Sequence, residues 1–166
     1  MDIPTATDDE LRWSDALLLG YAPMDQVHQE FVDTVSALLH ASDAELPARL
    51  ADFERHARAH FGEEDRWMRE TEFPARDCHI DEHAAVLRSV EQVGELLAQQ
   101  GNTGECRRLA RELMRWFPGH ADYLDSALAA WMCKRRLGGK PVVLRRGVAR
   151  HETGEDPHAA TAHHGA

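Results

Sequence analysis

Four stretches of the chain repeat their apolar positions at the 3.6-residue period of an α-helix. The first opens near Pro23, a residue suited to a first helical turn. It carries Met24, Val27, Phe31, Val32, Val35, Leu38 and Leu39 to about His40. The second runs from about Ala44 to Glu70 with Leu46, Leu50, Phe53, Ala57, Phe61, Trp67 and Met68 inward. Pro47 falls in its first turn, where a missing N–H costs little, and Thr71-Glu72-Phe73-Pro74 ends it. The third spans about Ala75 to Gln100, through Ile80, Val86, Leu87, Val90, Val93, Leu96 and Leu97, and stops at Gly101-Asn102 in a left-handed cap. The fourth spans about Thr103 to Leu137, through Leu109, Leu113, Trp116, Phe117, Leu124, Leu128, Trp131 and Met132. Asn102 with Glu105 forms a variant of the capping box at its start.

Residues 23–137 hold no period-2 strand pattern and no Asn-Gly hairpin turn. Four helices joined by short loops predict an all-α protein, an up-down-up-down four-helix bundle over residues 23–137. Residues 1–22 read as an N-terminal arm anchored by Trp13, Leu17, Leu18, Leu19 and Tyr21. Residues 138–166 read as a loosely ordered tail: Lys140, Arg145, Arg146 and Arg150 surround Val142-Val143-Leu144, and a polar run with His151, His158, His163 and His164 follows.

Composition narrows the function. A chain of 166 residues that is 43% hydrophobic fits one packed domain. Its formal charge of −10 argues against nucleic acid or an anionic membrane as a partner, since both would repel it. No run approaches the roughly 18 apolar residues of a membrane span, and the polar, acidic start predicts no signal peptide. Three dispersed cysteines without C-x-x-C fit a reducing cytoplasm. A cytoplasmic monomer is the expectation. The unusual count is histidine, with 11.

Seven histidines fall within the helices: His28, His40, His56, His60, His79, His83 and His120. His60 and Glu64 are four apart, as are His79 and His83, so each pair shares a helix face. His28 lies in line with Val27, Phe31 and Val35, and His120 precedes Asp125 by five residues. His28, His60, Glu64, His79, His83, His120 and Asp125 all sit on or beside an apolar stripe. Five imidazoles and two carboxylates from four helices would then meet inside the bundle, where unpaired polar groups cost several kcal/mol in total. A metal compensates most economically. Seven side-chain donors overfill a tetrahedral zinc site and exceed an octahedral ion. Two ions bridged by Glu64 and Asp125 close the count and leave one position empty, where a small ligand binds. Imidazole and carboxylate donors without thiolate suit iron better than copper(I). On an ideal helix a five-residue step turns His120 and Asp125 about 140° apart. A kink at Pro118-Gly119 or a local π-bulge would bring them back together. His40 and His56 are read as non-ligands, Asp25 as a cap of the first helix, and Cys78 as a thiol turned away from the site.

These residues resemble the hemerythrin family, specifically the small bacterial hemerythrins, over roughly residues 13–137. The elements are Met24-Asp25-x-x-His28, His60-Phe61-x-x-Glu64, His79-x-x-x-His83 and Trp116-Phe117-x-x-His120-x-x-x-x-Asp125. The resemblance implies two iron ions, oxygen-bridged, that bind O₂ reversibly. It implies that His79, His83 and His120 hold the saturated iron, that His28 and His60 hold the iron with the open position, and that Glu64 and Asp125 bridge. Phe31, Phe61, Trp116 and Phe117 are the candidate walls of a dry ligand pocket, and Phe117 stands where many relatives carry Leu. Storage, delivery or sensing of O₂ is the expected role, without catalysis. The alternatives are a diiron redox enzyme acting on peroxide or nitric oxide, and a sensor that signals to a separate partner. Ferritin-like diiron proteins use Glu-x-x-His, which no histidine of residues 23–137 has, and the H-E-x-x-H of zinc proteases is absent.

Overall fold

A computed structural model describes residues 11–143. Residues 1–10 of the arm and the tail from Leu144 on, with its four histidines, lie outside the described residues. After a 3₁₀ turn at Asp15–Leu17 come α1 (Ala22–His40), α2 (Leu46–Glu70), α3 (Arg76–Gln100), α4 (Thr103–His120), a π-helical turn (Ala121–Asp125) and α5 (Ser126–Leu137). The last three form one rod, because His120, Ala121, Asp125 and Ser126 all keep right-handed helical backbone. No strand occurs among the described residues. The rod and α1–α3 make a four-helix bundle in which α1 and α3 each pack on both α2 and α4. None of the described helices is long and apolar enough to cross a membrane.

Local chemistry sets the ends. Ser42 and Glu45 start α2: the Glu45 carboxylate accepts the Ser42 backbone N–H at 2.9 Å and its hydroxyl at 2.6 Å, while the Ser42 carbonyl accepts Leu46 N–H at 3.1 Å. The helix therefore begins at Leu46, two residues later than Ala44, and the S-x-x-E spacing is the signal that marks it. Gly101 takes the left-handed conformation (φ 63°) that ends α3. Asn102 caps α4 by accepting Glu105 N–H at 3.2 Å.

Asp25 does not cap α1. Its two oxygens accept the N–H groups of Leu19 (2.7 Å) and Gly20 (3.0 Å), so it fastens the arm to the first turn of the helix. Gly20 has φ 80°, and a Cβ there would stand 3.0 Å from Pro141 Cβ, so residues 141–143 lie against the arm.

Two apolar clusters fill the bundle. The larger is built on Phe31, Leu38, Leu46, Phe53, Phe61, Val90, Leu113 and Phe117. The smaller holds Tyr21, Met24, Trp67, Met68, Phe73, Leu128 and Met132. Between the two clusters, α1, α2, α3, α4 and the π turn carry buried polar side chains. This polar layer contains the candidate site.

Candidate metal centre

His28, His60, Glu64, His79, His83, His120 and Asp125 are all buried. The structure brings the seven sequence-predicted donors together. α1 supplies His28, α2 supplies His60 and Glu64, α3 supplies His79 and His83, α4 supplies His120, and the π turn supplies Asp125. The five-residue step is accommodated by that π turn. Ser126 N–H bonds the carbonyl of Ala121, five residues back. Such a turn holds more residues than an α turn, so His120 and Asp125 return to one side. Pro118, inside α4, lacks the N–H that would bond one turn back and loosens the rod just upstream. Leu124, expected inward, is half-buried, and Asp125 takes the interior position.

The donors sort into two groups around the carboxylates. Glu64 Oε1 lies 3.0 Å from His60 Nε2 and 3.4 Å from His28 Nε2, while its Oε2 lies 3.5 Å from His83 Nε2 and 3.8 Å from His79 Nε2. Asp125 Oδ2 lies 3.2 Å from His28 Nε2, and its Oδ1 lies 3.0 Å from His79 Nε2 and 3.2 Å from His120 Nε2. Each carboxylate gives one oxygen to a two-histidine half and the other to a three-histidine half. Within the latter, His120 Nε2 sits 3.2 Å from His79 Nε2 and 3.3 Å from His83 Nε2.

Hydrogen bonding does not satisfy this arrangement. Among the described residues, His28 Nε2, Glu64 Oε2 and both oxygens of Asp125 are buried without a partner in hydrogen-bond geometry. Their neighbours are near, but the atoms point at shared spaces instead of at each other. Each unmet polar atom costs on the order of 1–3 kcal/mol. A cation in each half would meet those lone pairs at once. Glu64, His79, His83, His120 and Asp125 each offer a ligand atom within 4.8 Å of the others, and His28, His60 and Glu64 do the same. The donor set fits two divalent ions of the iron class: nitrogen and oxygen ligands without sulfur.

Charge compensates in part without a cation. Burial opposes a charge on His28, but Asp125 and Glu64 together raise its pKa to about 10. His120 is raised too, against its burial, chiefly by Asp125. Burial and Asp125 work to raise Glu64, but His60 and His28 bring it down to about 2. Asp125 is held well below the usual range, against its burial, by the nearby imidazoles of His120, His28 and His79. The layer is thus a cluster of carboxylates and imidazolium.

The four aromatic candidates cover the layer on one side. Phe117 meets His28 edge-on at 5.2 Å and stacks on Phe31 at 4.5 Å, and Phe31 meets His60 at 5.9 Å. Phe61 lies flat on His83 at 4.2 Å, and Trp116 covers His120 at 4.2 Å. Phe31, Phe61 and Phe117 are buried, whereas Trp116 is half-buried and forms the outer edge.

His40 bonds the Ser36 carbonyl at 2.8 Å, away from the layer. His56 stands next to His60, with ring centroids 5.6 Å apart. Burial, then the charge of His60, pushes its pKa down to about 4. Cys78 is exposed.

Two further residues touch the donors and were not singled out by their spacing. Asp65 Oδ1 accepts His83 Nδ1–H at 2.7 Å, and Glu82 Oε2 accepts His120 Nδ1–H at 2.9 Å. Each adjoins a donor in sequence (Glu64-Asp65 and Glu82-His83), and that adjacency was their only signal.

Residues 19–132 match the hemerythrin HHE cation binding domain. A bacteriohemerythrin of Ralstonia nicotianae is 37% identical over 125 residues, which is 75% of this chain and 90% of that protein. The two-lobed His, Glu and Asp cluster lies inside the matched span, and the chain belongs to the hemerythrin family.

Proposed function

We propose that the protein binds O₂ reversibly at a non-haem diiron centre, for storage, delivery or sensing of oxygen, and is not an enzyme. One observation carries the reading: Glu64 and Asp125 each divide their two oxygens between two separate groups of imidazoles. Carboxylates placed so would bridge two ions, one in each half. In this reading His79, His83 and His120 would hold one iron, and His28 and His60 would hold the other with a position left for a small ligand. Iron held there would supply the reversible redox chemistry that O₂ binding needs.

The protein's own residues set the conditions. Glu64 and Asp125 stay ionised, so they hold charge between the two ions at neutral pH. Phe31 and Phe117 wall the two-histidine half, keeping out water and anions that would trap an oxidised centre. Phe61 and Trp116 cover imidazoles of the other half. Apolar groups at the ligand position offer no proton donor of their own, which favours release over turnover.

An anaerobic iron count with optical spectra before and after O₂ tests this. Two irons per chain are expected, with a visible band that grows under O₂ and fades under vacuum. A band that never reverses points to redox chemistry on peroxide or nitric oxide, or to an oxidised sensor. Fewer than two metals, or zinc alone, sinks the diiron assignment.

A further inference from the structure

Five imidazoles enter the polar layer, and their outward nitrogens are treated unequally. His83 donates its Nδ1–H to Asp65 at 2.7 Å, and His120 donates its Nδ1–H to Glu82 at 2.9 Å. Among the described residues, Nδ1 of His28, His60 and His79 is buried with no partner. Both supported imidazoles belong to the three-histidine half. The two-histidine half has the rings of Phe31 and Phe117 beside it and, among the described residues, no supporting carboxylate.

We propose that Asp65 and Glu82 are positioning residues that make the two halves unequal, so that the three-histidine half takes its ion first and holds it more tightly. The inference rests on the two-ion reading above. A carboxylate behind an imidazole does three things. It fixes the tautomer with the Nε2 lone pair facing inward, it stops the ring from rotating, and it makes the nitrogen a stronger donor. Losing such a partner commonly costs about 10- to 100-fold in metal affinity.

The two supports differ in weight. Asp65 is 18% exposed on its side chain and Glu82 is 49%, so water screens Glu82 more. Arg69, itself 60% exposed, lies 3.7 Å from the other oxygen of Asp65 and shares some of its charge without touching His83. Asp65 comes from α2 and holds a ligand of α3, while Glu82 comes from α3 and holds a ligand of α4. The supports therefore also tie neighbouring helices across the layer.

Anaerobic titration of the metal-free protein with Fe(II), in competition with a chelator, reads the two binding steps separately. The wild type is expected to bind two ions in resolved steps, and Mössbauer spectra at one equivalent of ⁵⁷Fe(II) should show a single site. Asp65→Asn keeps an oxygen acceptor but removes the charge, and should weaken the first step about 10- to 100-fold while leaving the second within about threefold. Glu82→Gln should do the same by less, at an exposed position where folding is not at stake. Asp65→Glu restores the charge and should recover part of the tight step. Melting of the metal-free variants at the wild-type temperature separates this role from a structural one. Unchanged steps, or an equal loss in both, overturn the inference and leave the diiron reading intact. A wild type that binds fewer than two ions overturns both.

Discussion

Asp125 is a small carboxylate that faces three imidazoles at 3.0–3.2 Å from a wholly buried position. Without a cation the layer keeps protons to balance it. Burial works against a charge on His28, yet Asp125 and Glu64 raise it to about 10, and His120 is raised as well. His28 is therefore protonated at pH 7, and His120 is shifted in the same direction. A metal ion binds only the neutral ring, so loading must expel that proton. The sign follows: the metal-free state binds more protons than the loaded one, and affinity rises with pH below about 10. Each proton expelled contributes about tenfold per pH unit. Calorimetry of Co(II) binding at pH 7, in buffers of different ionisation enthalpy, should show at least one proton released per chain. Zero release would mean that His28 is neutral in the metal-free protein, and the charge balance derived for the layer would fail.

At the scale of the element, the rod of α4, the π turn and α5 carries the least regular geometry and the largest difference from expectation. The candidate donors on α2 and α3 were legible because His60/Glu64 and His79/His83 repeat at the helical step. The fold was legible for the same reason, with unbroken 3.6-residue stripes and capping signals at Asn102. The rod was legible only as a conflict: an α-helical extension put Leu124 inside, while the chemistry required Asp125. The apolar positions Ala121, Leu124 and Leu128 keep the α-helical step, so nothing in the stripe announces a wider turn. Asp65 and Glu82 were not legible, because pairing across helices depends on how each helix rotates in the packed bundle.

The π turn predicts how the rod responds to editing. Tyr123 is 82% exposed and lies in the middle of the π turn. Deleting it leaves His120 and Asp125 four residues apart, the spacing that already places His60 beside Glu64. Both flanking faces keep their phase, so helix content by circular dichroism and the two-ion stoichiometry should survive. Inserting one alanine after Ser126 instead turns Leu128, Ala129 and Met132 about 100° from the core. That variant should lose the smaller apolar cluster and melt much earlier. If the deletion unfolds the protein as badly as the insertion, the π turn is more than one accommodated residue.

For the whole molecule, the polar layer is the joint between two apolar clusters, and every helix of the bundle contributes to it. Tyr21, Trp67, Leu128 and Met132 on one side are separated by this layer from Phe31, Phe53, Leu113 and Phe117 on the other. In the metal-free protein the joint is held by ion pairs whose orientation leaves buried lone pairs unmet. Such a layer contributes less than the apolar packing on either side, because buried charges recover their desolvation only with full pairing. In the proposed two-ion reading, an ion in each half would fasten α1 to α2 and the π turn, and α3 to α2 and α4, so its binding energy would act on the bundle as one unit. An ion present at 100 times its dissociation constant adds about 2.7 kcal/mol. With roughly 2–4 °C per kcal/mol at this chain size, each ion should raise Tm by about 5–10 °C. Scanning calorimetry of metal-free and Fe(II)-loaded protein under argon checks both the size and the form of the shift. One transition moving upward as a whole is expected, since α1, α2, α3 and the rod of α4, the π turn and α5 all pass through the joint. A shift under about 2 °C, or a second transition that ignores the metal, would mean that the two clusters unfold independently and that the layer does not unite them.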